Sequence, residues 1–271
     1  MRTRIGNLDI AYDDVGHGIP LLLVHGFPVD RRVWRPQVPV LSRHCRVLAL
    51  DLPGHGDSTP TGEYTMESLA RLLEGFLDTL GVERAVLLGY SMGGSVALEF
   101  SRTYPKRLYS LILYASRAVA DSEEEAVTRE ALAEVASLLE SQPIVVEEVM
   151  LDLVSADAAI AAGGPVTEAV REMVGDTPRL TFKQGLLALA RRPDYTPTLS
   201  SIPCPTLVVV GERDTVTPPA AAQDMVARIP GARLVVLPGA GHFANLDSPQ
   251  EFNRTVLDFL AVAGLRGANR R

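Results

Sequence analysis

Cysteine is nearly absent from this chain. Cys45 and Cys204 are its only two in 271 residues. They lie far apart and form no Cys-x-x-Cys pair, which excludes a disulfide framework and argues for a reducing compartment. Basic charge is also short: 26 Lys and Arg stand against 33 Asp and Glu, for a net charge of -7. Nucleic acid is therefore not the expected partner, because phosphate binding needs a basic face. An anionic membrane surface is excluded on the same ground. No apolar run approaches the ~20 residues that a membrane helix requires. The start, Met1-Arg2-Thr3-Arg4-Ile5, turns polar at once and offers no apolar targeting segment. A cytoplasmic enzyme-sized chain, monomer or homodimer, is the expectation. Metal is not expected either, since the five histidines, His17, His25, His44, His55 and His242, lack ligand spacing.

What the chain does have is alternation. Thr3-Ile5 and Leu8-Tyr12 flank Gly6-Asn7 and read as an edge hairpin. Continuous apolar runs follow at 20–24, 46–50, 85–88, 108–113, 206–210 and 233–237, each suited to a strand buried on both faces. Helical patterns lie between them at 31–42, 65–80, 92–103, 218–228 and 249–262. Thr217 before Pro218, and Ser248-Pro249-Gln250-Glu251 with a capping-box pattern, mark two helix starts. Such alternation predicts a mostly parallel eight-stranded sheet covered by helices on both faces. It breaks between residues 117 and 200. There Ser122-Glu123-Glu124-Glu125 opens an amphipathic helix to about Ser141, and further helices are expected at 143–154, 165–174 and 179–191. The expected organisation is a core in two parts, 1–116 and 201–265, a helical cap insertion at 117–200, and a frayed tail at 266–271.

The most informative segment is Val86-Leu87-Leu88-Gly89-Tyr90-Ser91-Met92-Gly93-Gly94. An apolar strand stops at a serine set between glycines, and a helix starts at once. A side chain at position 89 or 93 would collide within so sharp a turn, and the turn lifts the Ser91 hydroxyl to the tip of the sheet. A Gly-Ser-rich turn without chemistry matches the same short pattern, so the partners decide. A serine hydroxyl needs a base, and the base needs an acid. His242, in Pro238-Gly239-Ala240-Gly241-His242-Phe243, follows the last strand on a glycine-rich loop. His25 and His55 are expected to brace turns through hydrogen bonds, and His17 and His44 have surface-loop contexts. Asp214, after the 206–210 strand, is the acid. The strand before the insertion ends in Tyr114-Ala115-Ser116-Arg117 without a carboxylate. Asp51 precedes Ser91 and reads as a loop brace, and Glu212 reads as a structural contact. An oxyanion would be held by the backbone N–H groups of Met92 and of Phe27, the latter brought close by Gly26. The Phe27 ring has two possible places, in the acyl pocket or in packing.

Serine, aspartate and histidine in this order, with the His25-Gly26-Phe27 loop, resemble the α/β-hydrolase fold enzymes. Asp51-Leu52-Pro53-Gly54-His55-Gly56-Asp57-Ser58 also looks like that family's loop after an early strand. The Gly-Tyr-Ser-Met-Gly-Gly elbow is similar to that of small bacterial carboxylesterases, enol-lactone hydrolases and perhydrolase-type esterases. Dehalogenases and epoxide hydrolases of this fold carry aspartate where this chain has Ser91. Asp247-Ser248-Pro249 departs from the glutamate that relatives often place before the last helix. The resemblance implies a cofactor-free serine hydrolase, with Ser91, Asp214 and His242 catalytic and Phe27 and Met92 forming the oxyanion hole. The substrate it implies is a small-molecule carboxylic ester. Val149, Met150, Leu153, Leu186 and Leu189 of the cap, with Phe27 and Phe243, are expected to line an apolar pocket for a neutral short to medium acyl group. No basic cluster to grip a dicarboxylate is evident, although Arg117, Arg129 or Lys183 would serve if they pointed inward, which keeps an enol-lactonase open. A perhydrolase would use the same triad. A hydrolase-like small-molecule receptor is the alternative of another class.

Overall fold

The computed structural model describes residues 1–138 and 164–265. Its strands are β1 (Arg2–Ile5), β2 (Leu8–Val15), β3 (Pro20–Val24), β4 (Arg46–Leu50), β5 (Ala85–Tyr90), β6 (Leu108–Tyr114), β7 (Thr206–Gly211) and β8 (Arg233–Leu237). They form one eight-stranded sheet in the order β1-β2-β4-β3-β5-β6-β7-β8. β1 and β2 run antiparallel to their neighbours, and every pairing from β4 to β8 is parallel.

The apolar strand runs are explained by burial on both faces. Leu22, Val24, Leu48, Leu50, Leu87, Leu111, Leu113, Val208 and Val210 join one core cluster. Their sequence neighbours Leu21, Leu23, Val47, Ala49, Val86, Leu88, Ile112 and Val209 join the other. Successive side chains point to opposite faces, so a strand between two helix layers reads as a nearly continuous apolar run, Ser110 of β6 being a buried exception. α2 (Met66–Thr79) and α3 (Met92–Thr103) cover the first face. Trp34 and α9 (Pro249–Val262) cover the second. No helix among the described residues is long and apolar enough to cross a membrane.

Several local expectations change. The 31–42 helix is instead a 3-10 turn at Arg31–Trp34 and a single turn α1 (Val38–Leu41). Pro36 and Pro39 supply no N–H to carry one helix through. α7 (Pro219–Arg228) begins one residue later than expected, and Pro218 occupies the cap position. The Thr217 hydroxyl donates to Asp214 instead. Ser248 makes no side-chain cap bond. It sits between the short α8 (Ala244–Asp247) and α9, and its N–H closes α8 onto the Ala244 carbonyl. The Ser122 capping box forms as expected. It opens α4 (Glu123–Ser137), which packs on α6 (Arg179–Ala190), with α5 (Pro165–Asp176) preceding α6. The expected 143–154 helix, the tail at 266–271 and the far end of the helix drawn to Ser141 lie outside the described residues.

β3 is flanked by β4 on one side and β5 on the other, so the chain reverses its direction of travel across the sheet there. Loops leaving the carboxyl ends of β3 and β5 diverge at this point and open a crevice. A buried polar strap holds the crevice from behind. The Asn245 side-chain amide donates to the Val33 carbonyl at 2.8 Å and to Gln37 Oε1 at 3.2 Å. The Gln37 amide returns a bond to the Asn245 carbonyl at 2.8 Å. The Tyr114 hydroxyl accepts from the Asn245 N–H at 3.0 Å and lies 2.9 Å from the His242 carbonyl and 3.1 Å from Asn245 Oδ1, between which its single proton is shared. Removing Asn245 strands several buried groups at once. Asn245→Ala is expected to lose about 2–4 kcal/mol of stability in urea unfolding, and a loss below about 1 kcal/mol would contradict the strap.

Candidate active site

At the end of β5 the chain turns through Ser91 with φ 52° and ψ -114°, and α3 begins at the next residue. A left-handed φ at a non-glycine residue costs on the order of 1–3 kcal/mol and persists only where the surroundings impose it. Here they do. A Cβ at Gly89 would sit 2.2 Å from the Gly93 carbonyl oxygen, so the collision expected inside the turn is real for position 89. At Gly93 the obstacle differs from the expected one. Its Cβ would lie 2.4 Å from the Val24 carbonyl oxygen, at the end of neighbouring β3. The elbow is therefore pressed against the loop that follows β3. The Ser91 N–H donates to the Tyr114 carbonyl at 2.9 Å, and the Ser116 hydroxyl donates to the Ser91 carbonyl at 2.9 Å.

Three side chains meet at this tip. His242 Nε2 lies 3.1 Å from Ser91 Oγ, and His242 Nδ1 lies 2.9 Å from Asp214 Oδ2. A carboxylate can only accept, so the ring proton sits on Nδ1 and the Nε2 lone pair faces the Ser91 hydroxyl. Asp214 is set by its own loop. Oδ1 accepts from the N–H groups of Val216 at 3.0 Å and Thr217 at 2.8 Å, and Oδ2 accepts from the Thr217 hydroxyl at 2.7 Å. Burial alone would raise the Asp214 pKa, but His242 and the Thr217 donors outweigh it and hold the carboxyl below its ordinary value. Glu212 makes the structural contact expected of it, accepting from the Gly239 N–H at 2.8 Å.

The loop after β3 supplies the opposite wall. A Cβ at Gly26 would stand 2.9 Å from Ser91 Cβ and 3.1 Å from the Tyr90 ring, so only glycine allows this approach. Neither the Phe27 N–H nor the Met92 N–H donates to another group among the described residues. His25 Nε2 accepts from the Leu52 N–H at 2.9 Å, which places its proton on Nδ1 for donation to the Gly26 carbonyl at 2.7 Å. That carbonyl belongs to the peptide whose N–H is Phe27's, so His25 fixes its orientation. Burial holds His25 below its ordinary pKa, in the neutral form that this pairing needs. His55 braces differently from expectation: its ring packs on His25 and Phe27, with no hydrogen bond of good geometry. Asp51 braces as expected, accepting from the N–H groups of Arg31 at 2.8 Å and Asp57 at 2.9 Å.

A cleft of about 770 Å³, counting its open mouth, lies over Ser91 and His242. Phe27, Leu132, Leu186, Leu189 and Val216 give it apolar walls. Phe27 both lines the cleft and packs edge-on to Phe182 at 5.4 Å, in space left by Gly185. Phe243 is not among the described residues lining the cleft. It is buried against Tyr90 and His242, because a residue directly after an inward-turned histidine points back into the core. Val149, Met150 and Leu153 lie outside the described residues. The expectation of a wall without a basic cluster fails. Arg117, Arg129 and Arg192 all line the cleft. They converge on Asp121: Arg129 Nε at 2.7 Å, Arg192 at 2.7 Å, and Arg117 through its Nη2. Arg117 also binds Glu125 at 2.9 Å. Lys183 turns instead to Glu134 at 3.3 Å.

His25 braces its turn through hydrogen bonds as expected, and Thr217, Ser116, Asn245 and Arg192 are the site residues that sequence reasoning missed. Each acts on a partner on another element or through a loop geometry that spacing does not encode. Only Thr217, three residues after Asp214, carried a local signal, that of a side chain bonding within its own turn. Among the described residues no cluster of three or more His, Cys, Asp or Glu stands ready for a metal.

A nucleophile-type elbow, a histidine and a carboxylate at the carboxyl ends of a parallel sheet are the layout of a hydrolase built on an α/β sheet. The chain belongs to the alpha/beta hydrolase fold family, whose model matches residues 19–249. It is 36% identical to a thermophilic esterase from Thermogutta terrifontis, whose malate-bound structure superposes with a TM-score of 0.89 over 97% of each chain. The enol-lactonase from Burkholderia xenovorans superposes with a TM-score of 0.87 at 28% identity, over 96% of this chain and 100% of that one. A 2-hydroxy-6-oxononadienedioate/2-hydroxy-6-oxononatrienedioate hydrolase from Burkholderia vietnamiensis is 32% identical over 93% of this chain and 91% of its own length.

The lowered Asp214 pKa carries a sign for stability. An acid whose folded pKa lies below its unfolded value stabilises the fold above the unfolded pKa, and that contribution fades as pH falls through the folded one. Asp214→Asn removes the titration. The variant is therefore expected to lose less stability than wild type between about pH 6 and about pH 3, read by urea unfolding. An equal or larger loss in the variant would contradict the lowered pKa.

Proposed function

We propose that this chain is a serine hydrolase of carboxylic esters with short to medium acyl groups. The observation that carries the reading is the unbroken line from Asp214 Oδ2 through His242 to Ser91 Oγ, at 2.9 Å and 3.1 Å. In this mechanism His242 Nε2 takes the Ser91 proton as Oγ attacks the ester carbonyl. Asp214 holds the imidazole tautomer and balances the imidazolium that forms. The Phe27 and Met92 N–H groups, which have no partner among the described residues, donate to the tetrahedral oxyanion. Collapse expels the alcohol, protonated by His242. Water activated by the same nitrogen then attacks the acyl-enzyme, and the acid leaves with Ser91 restored. No cofactor enters these steps. α4 and α6 act as a cap that supplies Leu132, Leu186 and Leu189 to the acyl side.

A second reading is a cyclic ester, a lactone, opened by the same residues. It is favoured by the arginines on the cleft wall and by the enol-lactonase among the structural relatives. Ring opening keeps both product ends in one molecule, so the cleft then holds the whole substrate under the cap.

Steady-state hydrolysis of p-nitrophenyl esters from acetate to decanoate tests the proposal. Turnover is expected to be fastest at the shorter chains and to fall roughly 10⁴-fold or more in Ser91→Ala. Persistent activity in that variant, or none in folded wild type, would defeat it; a receptor would show ligand binding without multiple turnover. Gly26→Ala, which presses a methyl toward Ser91 and the Phe27 loop, is expected to lower kcat about 10²-fold with the fold intact. Unchanged kcat would remove Phe27 from its oxyanion role.

A further inference from the structure

Three guanidinium groups on one wall of a small cleft need an explanation. Arg117 arrives from just beyond β6, Arg129 from α4 and Arg192 from just beyond α6. Their shared counterion, Asp121, has a fully buried carboxylate. With Glu125, which pairs with Arg117, the cluster holds three positive charges against two negative ones among the described residues. A cluster built only to tie helices together has no need of an uncompensated charge at a ligand-sized opening, since an unpaired guanidinium beside apolar walls is costly.

The donors are not used up. Arg129 spends Nε on Asp121, and its two terminal nitrogens have no protein partner among the described residues. Arg192 is 5% exposed, and its Nε is buried without a partner. Burial pulls the Arg192 pKa down to about 10; Asp121 opposes that fall, while Arg117 and Arg129 add to it. Among the described residues the wall is thus short of negative charge, Arg129 has planar donors to spare, and the wall faces the cleft that holds Ser91. Guanidinium donors in that state match a carboxylate, whose two oxygens accept paired N–H groups. The apolar walls from Phe27, Leu132, Leu186 and Leu189 fit a short methylene or alkenyl stretch between the reacting carbonyl and that anion.

We propose that Arg129, supported by Arg117 and Arg192, binds a free carboxylate on the substrate, so that this hydrolase acts on half-esters or lactones of dicarboxylic acids rather than on neutral acyl esters. The inference rests on the serine hydrolase reading above and specifies its substrate. Asp121 is the positioning residue. It holds the three side chains in one array and takes no part in the contact with substrate.

The experiment pairs charged and neutral p-nitrophenyl esters of matched length: the hydrogen glutarate, adipate and pimelate half-esters against hexanoate, heptanoate and octanoate. Spontaneous hydrolysis is subtracted. For at least one pair, wild-type kcat/KM is expected to favour the charged ester tenfold or more, and Arg129→Met is expected to reduce that ratio at least tenfold. Arg191→Met, a solvent-facing neighbour paired with Glu130, should leave the ratio as it was. Neutral esters preferred at every length, or an unchanged ratio in Arg129→Met, would overturn the proposal while leaving ester hydrolysis standing. Calorimetric titration of adipate into wild type and Arg129→Met gives a reading that needs no turnover. Saturable binding weakened tenfold or more by the substitution is expected, and no binding to wild type overturns the carboxylate site. Absence of all ester turnover beside intact adipate binding would instead defeat the hydrolase reading alone.

Discussion

The turn at Ser91 is the constraint on which the rest of the site depends. A serine with φ 52° is held there because the turn's own backbone leaves no room for a side chain at position 89, and neighbouring β3 leaves none at position 93. The closeness of the loop after β3 to this turn makes Gly26 obligatory and brings the Phe27 peptide alongside Ser91. One steric fact therefore sets the Ser91 hydroxyl, the Met92 N–H and the Phe27 N–H on one side of the sheet. Strain of on the order of 1–3 kcal/mol is tolerated because β5 is buried throughout and α3 is buried from Met92 to Ser101.

The partners reach that point from the far half of the chain, and each is fixed by its own loop rather than by the others. Asp214 is held by Val216 and Thr217, close after it in sequence. The loop carrying His242 is tied through its carbonyl to the Tyr114 hydroxyl, and through Asn245 to Gln37 and Val33. Preorganisation of this kind lets an imidazole stay between two oxygens without help from a substrate. It also explains why a polar cluster is tolerated beneath the site: every member is given a partner, as buried polar groups require.

Much of this was legible in the sequence, for physical reasons. Strands buried on both faces read as unbroken apolar runs, so β3 and β4 fall at the expected bounds. β8 also falls at its expected bounds, but as the edge strand it is only partly buried rather than covered on both faces. The elbow was legible because Gly89 is enforced by sterics within the turn, whereas the contact that enforces Gly93 comes from β3 and was not. The order of Ser91, Asp214 and His242 was legible because each follows a strand. Contacts between distant elements were not. Arg192 and Asp121 meet across 71 positions, and neither lies in a pattern that announces the other. Arg117 and Arg129 are legible as residues able to point inward, but their convergence with Arg192 on Asp121 is not, and Phe243 is expected in the cleft although the core takes it. The double-helix junction at Ser248 was missed because the α8 turn before it carries no capping signal of its own.

The central claim is that Ser91 carries the acyl group during turnover. Rapid acid quenching during hydrolysis of p-nitrophenyl butyrate, followed by mass spectrometry of the proteolysed protein, tests it most directly. The account predicts a burst of p-nitrophenol near one equivalent per chain or a trapped butyryl group, with the added mass confined to the peptide that contains Ser91. An acyl group on any other residue, or steady turnover with neither a burst nor a trapped adduct, would contradict it.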